Sequence, residues 1–187
     1  MADAGVHSAL PEDLPQIARI QRDTWRVAYA ELLPAELLAE WDLAEAEAAW
    51  AHALTHGPAR LFVATEGAAT VGFCAAGPAP GDELVDPAGE LPADADEVVL
   101  IGALLVEPRW GRRGHGGRLL GTAAAELRAA GASRGVAWVP ESDQATRKFY
   151  ASVGWQPDGV ARTLDAAGRE LREVRFSGTL ELSLIAY

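Results

Sequence analysis

A chain of 187 residues with 49% hydrophobic and 23% charged residues has the size and composition of a soluble globular protein, and we expect residues 1–187 to form a single domain. The only cysteine, Cys74, excludes an internal disulfide and a cysteine-based zinc site. The net charge of −11 argues against nucleic-acid binding, because most of the surface would repel a polyanion.

No segment of the sequence is predicted to enter a membrane or to direct secretion. The longest strongly apolar run, residues 98–106, is too short to cross a bilayer. The first ten residues contain neither the basic segment nor the apolar segment of a secretory signal. We therefore expect no membrane partner and a cytoplasmic location.

The amino-terminal half has the patterns of a strand, several helices and a hairpin. Apolar residues between Leu14 and Ala28 recur on one helical face, which predicts an amphipathic helix. Asp42 followed by Glu45 has the spacing of a capping box ahead of another helix. The predicted elements are a strand at 6–10, helices at 12–29, 34–40 and 42–55, and hairpin strands at 60–65 and 70–76.

Residues 77–96 are predicted to form a long loop, because prolines and glycines interrupt every regular pattern there. The loop has no cation, and its carboxylates are Asp82, Glu83, Asp86, Glu90, Asp94 and Asp96. Loops of this length are uncommon in compact domains and are often functional or mobile. A solvated surface loop is the alternative interpretation.

The carboxy-terminal half alternates buried strands with helices. Residues 97–106 are almost continuously apolar, as in a central strand covered on both faces, and Gly102 indicates a bulge within it. The predicted elements that follow are a helix with an apolar stripe at 119–127, a strand at 136–139, a helix from Ser142 to Gly154 and strand-like alternation over 170–185. This order predicts an α/β fold with a central mixed β-sheet flanked by helices.

The loop at 108–117 joins the central strand to the next helix and combines glycine with positive charge. Its glycines permit successive backbone N–H groups to converge, and the following helix adds the positive end of its dipole. Between Arg109 and Arg118 there are four arginines and one histidine but no acid. Such a cationic spot on an acidic chain is expected where a small polyphosphate binds.

Two common phosphate-binding loops do not match these residues. A P-loop requires Gly-Lys followed by Ser or Thr, and a Rossmann fingerprint requires a third glycine where Leu119 stands. The loop instead resembles the acetyl-CoA motif of the GNAT superfamily of N-acetyltransferases, Gln/Arg-x-x-Gly-x-Gly/Ala after a strand that ends in Val-x-Pro. Val106, Gly114 and Gly116 match this motif, whereas Gly111 occupies its first position.

A second part of the family pattern lies downstream. Where the family carries Asn, Ala, Phe-Tyr and Gly-Phe/Trp, this chain reads Asp143, Ala145, Phe149-Tyr150 and Gly154-Trp155. Asp143 departs from the pattern, because an ionised carboxylate cannot donate a hydrogen bond to a pantetheine arm. Tyr150 stands at the position of the family's usual general acid; core packing beside Phe149 is the alternative.

The resemblance implies a GNAT-like acyl-CoA N-acyltransferase fold and direct transfer of an acetyl group from acetyl-CoA to a primary amine of a small molecule, without a metal. The end of the central strand would hold the pantetheine arm and polarise the thioester through its backbone, and Tyr150 would protonate the leaving thiolate. The implied cofactor-binding residues are Leu104, Leu105, Val106, Arg112, Arg113, Gly114, His115, Gly116, Gly117, Arg118, Asp143 and Tyr150.

The resemblance leaves the general base open. Many relatives place a glutamate eight residues before the proline of the motif, where this chain has Leu100. Glu97, at the start of the strand, is the candidate catalytic base, directly or through water; an exposed strand end is the alternative. Cys74 is interpreted as a small buried apolar residue, and His115 either as a phosphate contact or as a loop-filling side chain.

Three further expectations concern partners and alternative functions. The acidic loop would attract a cationic amine acceptor by long-range steering. The departures at Gly111, Asp143 and Leu100 leave open a catalytically impaired acyl-CoA-binding module, and a protein N-acetyltransferase is another alternative. The apolar tail at 180–187 suggests a homodimer contact, with an ordinary edge strand as the alternative.

Overall fold

Seven strands form one mixed sheet in the computed structural model, which describes residues 3–28, 30, 39, 41–166 and 168–182. The strands are β1 (Ala4–Ser8), β2 (Arg60–Glu66), β3 (Ala69–Pro78), β4 (Val98–Val106), β5 (Arg134–Pro140), β6 (Gln156–Ala166) and β7 (Arg169–Thr179). The helices are α1 (Leu14–Ala28), α2 (Leu43–His56), α3 (His115–Ala129) and α4 (Gln144–Ser152). The strand order is β1-β2-β3-β4-β5-β7-β6, and only the pair β4–β5 is parallel.

Helices cover both faces of this sheet, which confirms the predicted α/β architecture. On one face, α3 buries an apolar stripe that includes Leu119, Leu120 and Leu127. On the other face, α1 buries Ile17 and Ile20 against β2 and β3, and α2 packs beside it. No helix among the described residues is long and apolar enough to span a membrane.

Most predicted elements lie where the sequence indicates. Asp42 caps α2 and accepts hydrogen bonds from the backbone N–H groups of Ala44 at 2.7 Å and Glu45 at 3.1 Å. β1 begins two residues earlier than predicted, and the hairpin β2–β3 is longer at both strands. The predicted helix at 34–40 lies outside the described residues, except for residue 39. Residues 183–187 of the tail, on which the homodimer prediction depends, also lie outside them.

The sequence prediction missed β6 and was wrong there. Pro157, Asp158 and Gly159 indicate a turn, yet the chain pairs with β7 before and after a bulge between Pro157 and Ala161. Because β6 is an edge strand with mostly exposed side chains, it lacks the apolar alternation by which a strand is recognised. The predicted strand at 170–185 is β7, which ends at Thr179.

The bulge predicted at Gly102 is present and changes the direction of the side chains of β4. Ala76 pairs with Ile101 and Ala75 pairs with Ala103, which leaves Gly102 without an opposing residue. The extra residue reverses the alternation, so that Ile101 and Leu104 both face α3.

β4 and β5 separate shortly before this bulge. Their parallel pairing runs only from Val98–Arg134 to Leu100–Val136 and then stops. The last residues of β4 therefore have no strand beside them on the β5 side. The result is a slot through the middle of the sheet.

The acidic loop is anchored to the face opposite α3. Leu84 is buried against Val98 and Val136, at the start of β4 and β5. Arg134 donates two hydrogen bonds of 2.7 Å to the carboxylate of Asp94, and Glu83 accepts one of 2.8 Å from Arg162. Two of the six carboxylates are thus held in ion pairs with the sheet.

Candidate active site

A cavity of about 970 Å³ lies on the α3 side of the sheet, beyond the point where β4 and β5 separate. The end of β4, the loop before α3, the first turn of α3 and one side of α4 form its walls. The predicted cofactor-binding residues that line it are Leu104, Val106, Arg112, Arg113, Gly114, His115, Gly116, Gly117, Arg118 and Tyr150. A single cavity thus brings together both parts of the sequence motif.

The end of β4 presents unpaired backbone groups to the slot. The N–H of Glu107 donates to the Val71 carbonyl of β3 at 2.9 Å. Because alternate residues of a strand direct their N–H groups to opposite edges, the N–H groups of Leu104 and Val106 point to the side that β5 has left. These groups are available to a ligand that lies along the strand.

The loop before α3 contains two left-handed residues. Arg112 has φ 60° and Gly114 has φ 83°, and α3 begins at His115. Left-handed residues that alternate with right-handed ones converge N–H groups into an anion-binding concavity, and the first N–H groups of a helix have no intrahelical acceptor. The loop can therefore bind a phosphate through its main chain.

The arginines of this loop have different surroundings. Arg113 forms an ion pair of 3.2 Å with Glu66, and Arg118 donates a hydrogen bond of 3.0 Å to the Arg113 carbonyl. Arg109 points away from the cavity and pairs with Glu107. Within the described ranges, Arg112 alone among the four has no ion pair or hydrogen bond from its side chain, so its charge is available to a ligand.

Tyr150 is held by other aromatic rings. Its ring is stacked on Trp155 with centroids 5.3 Å apart, and contacts Phe149 and Phe176. Burial, with a smaller contribution from neighbouring Cys74, raises the pKa of the Tyr150 hydroxyl above its usual value. An ordinary tyrosine is already protonated at neutral pH, and the raised pKa extends this protonated range to higher pH.

Cys74 lies on β3 inside the core on the α3 side and is fully buried. Burial raises the pKa of its thiol to about 12. A thiol with that pKa is not a nucleophile near pH 7, because the thiolate is the reactive form. The interpretation of Cys74 as a small apolar core residue agrees with this environment.

Two predicted cofactor-binding residues, Leu105 and Asp143, lie outside the cavity. The Leu105 side chain packs towards the α1 side of the sheet. Asp143 caps α4 and accepts hydrogen bonds from the Thr146 N–H at 3.0 Å and the Thr146 hydroxyl at 2.6 Å. The Asp143 carboxylate thus caps α4. This local role explains why an acidic residue occupies the position.

Gly111 stands in the first position of the family motif, at the end of the turn Pro108–Trp110, with an extended backbone at φ −60° and ψ 155°. Its N–H donates to the Pro108 carbonyl at 3.1 Å, and a Cβ at this position would lie 3.1 Å from the same oxygen. A side chain at this position would make a tight contact with the turn. The residue still lines the cavity through its backbone.

The candidate base Glu97 is not brought to the cavity. It is exposed, lies in the turn Ala95–Glu97 before β4, and stands about 23 Å along the strand from Leu104 at roughly 3.3 Å per residue. No carboxylate lines the cavity among the residues that the structure describes. Nor do those residues contain a group of three or more side chains that could hold a metal ion.

Sequence reasoning missed Glu66, whose carboxylate contacts both Arg113 and His115. The sequence shows Glu66 only as a turn residue of the hairpin, 49 positions before His115. No short-range pattern connects the two, so only the folded chain reveals the contact. Trp110 and Phe149 also line the cavity.

Comparison with known proteins identifies the family to which the chain is similar. The family model described as the acetyltransferase (GNAT) family matches residues 14–155. An uncharacterised N-acetyltransferase of Bacillus subtilis, YuaI, is 29% identical over 171 residues, which cover 90% of this chain and 89% of that protein.

Two solved structures have the same fold. An N-acetyltransferase from Staphylococcus aureus has a TM-score of 0.71 at 18% identity, with 96% of this chain and 99% of that chain covered. The PaiA N-acetyltransferase of Thermoplasma acidophilum, in complex with coenzyme A, has a TM-score of 0.65 at 14% identity, with 95% and 99% covered. With the family match spanning most of the chain and the motif lining one cavity, this chain belongs to the GNAT acetyltransferase family.

Proposed function

We propose that this protein transfers an acetyl group directly from acetyl-CoA to a primary amine of a small, cationic molecule. The observation that carries the proposal is the segment 111–118, where two left-handed residues, the start of α3 and the unpaired Arg112 line one cavity. Such a group of donors is suited to the diphosphate of a nucleotide. A cytoplasmic location and a metal-free reaction stay predictions.

The residues around the cavity fit acetyl-CoA, which supplies a thioester-activated acetyl group when bound. The loop and Arg112 would hold the diphosphate. The N–H groups of Leu104 and Val106 would bind the pantetheine arm and polarise the thioester carbonyl. Tyr150, which lines the cavity with its hydroxyl protonated at neutral pH, would donate its proton to the departing sulfur.

The acceptor amine must lose a proton before it attacks the acetyl group. Since no carboxylate among the described residues lines the cavity, a side chain in direct contact with the amine is not the base we favour. Glu97 acting through a chain of water molecules stays the candidate, with the acidic loop as the alternative acceptor of the proton.

The charge of the chain supports the proposal of a cationic acceptor. The chain carries −11, and four exposed carboxylates of the acidic loop, Asp82, Asp86, Glu90 and Asp96, have no ion pair within the described part of the chain. Unpaired carboxylates raise the encounter rate of a cation, and salt screens this attraction. We expect kcat/KM for a polyamine to fall with ionic strength more steeply than that for a neutral amine; equal slopes would remove the preference for cations.

The central test is calorimetric titration with CoA, followed by release of free thiol from acetyl-CoA with a panel of amines. The panel includes a polyamine, a neutral primary amine and a short peptide with a free amino terminus. We expect CoA to bind and at least one small amine to support turnover. A preference for the peptide would instead favour a protein N-acetyltransferase, and no binding of CoA would contradict the whole proposal.

A catalytically impaired acyl-CoA-binding module is the second candidate. Asp143 favours it, because a carboxylate that caps α4 cannot donate to the pantetheine arm. Leu100 favours it too, because no carboxylate stands at the family's usual position for the base. Binding of CoA without turnover of any amine, and no effect of Tyr150→Phe, would favour the module.

A further inference from the structure

Glu66 lies at the end of β2, outside the cavity, and reaches two residues of the phosphate-binding loop at once. Its Oε2 is 2.8 Å from Nε2 of His115, and its Oε1 accepts a hydrogen bond of 3.2 Å from Arg113. These two partners flank Gly114, the left-handed residue that immediately precedes α3. One carboxylate thus ties the hairpin to the turn where the loop becomes a helix.

The same group includes an aromatic ring. The Arg113 guanidinium lies 4.8 Å from the centre of the Trp110 ring, and Trp110 meets His115 edge to face at 6.4 Å. We call Glu66, Trp110, Arg113 and His115 the Glu66 cluster. It forms the wall of the cavity on the hairpin side, and three of its four members line the cavity.

Two polar atoms of the Glu66 cluster are buried without a hydrogen-bond partner in the described chain: Nδ1 of His115 and Nε1 of Trp110. The His115 side chain is 1% exposed. Buried polar atoms without partners are rare in native proteins and call for an explanation other than core stability. Both residues line the cavity, but these two atoms are closed to solvent and do not themselves face a ligand.

Arg112 and Arg113 differ because only Arg113 belongs to the Glu66 cluster. Arg112 is unpaired and has the freedom to reach a phosphate, whereas Arg113 is fixed by an ion pair and an aromatic ring. His115 is the first residue of α3, so that fixing its side chain also fixes the backbone from which the N–H groups of the loop point.

From this geometry we infer that Glu66 is a positioning residue for the diphosphate of the cofactor. It holds Arg113 and the first residue of α3 in place before the ligand binds, which reduces the ordering that binding requires. The carboxylate repels a diphosphate, but Arg113 is bonded to it and offsets its charge. The inference rests on the proposed function, because it requires the ligand to be CoA or a derivative.

The experiment compares Glu66→Ala, Glu66→Gln and the parent protein by calorimetry with CoA, with Tm measured for each. We expect the Kd for CoA to rise about tenfold in Glu66→Ala and about threefold in Glu66→Gln, since Gln keeps the volume and one acceptor but loses the charge. KM for acetyl-CoA should rise in parallel while kcat stays nearly constant. A residue that served stability alone would lower Tm without this split.

Glu126→Gln is the matched control. Glu126 lies on α3 and forms an ion pair of 3.2 Å with Arg60 of β2, so it also joins the hairpin to this helix. The contact lies far from the loop, at the other end of α3. We expect its removal to leave the Kd for CoA unchanged.

A double variant tests whether Glu66 acts through Arg113. Arg113→Ala affects an exposed side chain, and the combination Glu66→Ala/Arg113→Ala should cost less in CoA affinity than the product of the single effects. If Glu66→Ala does not fold, Glu66→Gln and Arg113→Ala carry the test.

Unchanged or tighter CoA binding in a folded Glu66 variant would overturn the inference and leave the proposed function intact. Absence of CoA binding in the parent protein would contradict both. The two failures are therefore distinguishable.

Discussion

The ring of Tyr150 is stacked on that of Trp155, with centroids 5.3 Å apart and planes inclined by 20°. Trp155 is completely buried, and its indole N–H donates to the Thr179 carbonyl at 3.0 Å. The indole lies against Gly135 of β5 and Gly178 of β7, where any side chain would overlap it. The position of the candidate acid is thus fixed by packing that joins α4 to two strands.

Gly178→Ala should destabilise the protein and reduce activity together. The added Cβ would collide with the Trp155 indole, and overpacking of a core typically costs about 1–3 kcal/mol. Displacement of Trp155 would also move Tyr150 and lower kcat. Chemical unfolding and steady-state kinetics measure the two effects. Gly5→Ala is the control, because a Cβ there meets only the Thr65 hydroxyl at 3.6 Å and should change neither quantity.

Tyr150→Phe should lower kcat by about 10²-fold, within the range typical of general acids, with little change in the Kd for CoA. The substitution removes the proton donor and keeps the ring that packs on Trp155. Thiol release and calorimetry measure the two constants. If Tyr150→Phe lowers Tm and its activity falls only as far as the loss of folded protein explains, Tyr150 serves the core alone.

The raised pKa of Tyr150 also predicts how kcat responds to alkaline pH. Since burial favours the neutral hydroxyl, the acid stays protonated through the pH at which an ordinary tyrosine, with a pKa of about 10, ionises. We expect no fall in kcat from loss of this proton between about pH 8 and pH 10. A decline centred within that interval and absent from Tyr150→Phe would contradict the raised pKa while still identifying Tyr150 as the acid.

Cys74→Ala should preserve acetyl transfer. The thiol is fully buried and its pKa is about 12, so that it cannot form an acetyl-thioester at neutral pH. Loss of the sulfur should cost about 1–2 kcal/mol of unfolding free energy through the cavity it leaves. Kinetics with both substrates varied should show intersecting lines for both proteins. Parallel lines would indicate a covalent acetyl-enzyme.

Arg112→Gly should weaken CoA binding without lowering the stability of the protein. A non-glycine residue at φ 60° carries about 1–2 kcal/mol of backbone strain, which glycine relieves at the cost of a more flexible unfolded chain. Tm should therefore stay the same or rise. The Kd for CoA should increase about tenfold, because the unpaired guanidinium is lost. A lower Tm with unchanged CoA binding would show that Arg112 serves the fold only.

Asp94→Asn tests the anchor of the acidic loop. Hydrogen bonds from Arg134 lower the pKa of the Asp94 carboxyl in the folded state, against the opposing effect of burial. A lowered folded pKa means that the pair contributes stability above the ordinary carboxyl pKa of about 3.9 and loses it as pH falls through the folded value.

The predicted loss of unfolding free energy in Asp94→Asn near pH 7 is about 1 kcal/mol or less, because the pair is partly exposed. The difference from the parent protein should shrink below about pH 4. Denaturant unfolding at pH 7 and at lower pH measures it. A difference that grows with acidity would mean that the ion pair is not its source.

Local sequence determined the parts of this protein whose signals are short. The spacing of Asp42 and Glu45 located the start of α2, Gly102 located the bulge, and the glycines and arginines after Pro108 located the phosphate-binding loop. Each of these depends on a few consecutive residues, for which backbone conformation and hydrogen bonding are largely local.

Tertiary structure decided which residues that are distant in the sequence contact one another. β6 exists because it pairs with β7, although Pro157 and Gly159 suggest a turn. Glu83 and Asp94 read as free carboxylates of a loop, yet Arg162 and Arg134 of the sheet bind them.

Glu66 meets His115 only because β2 and the start of α3 converge on the same wall of the cavity. Such contacts join residues tens of positions apart, and their free energy arises from burial and charge pairing that no local pattern encodes. The sequence by itself therefore determined the chemistry of the loop, and the fold alone decided which side chains hold that loop in place.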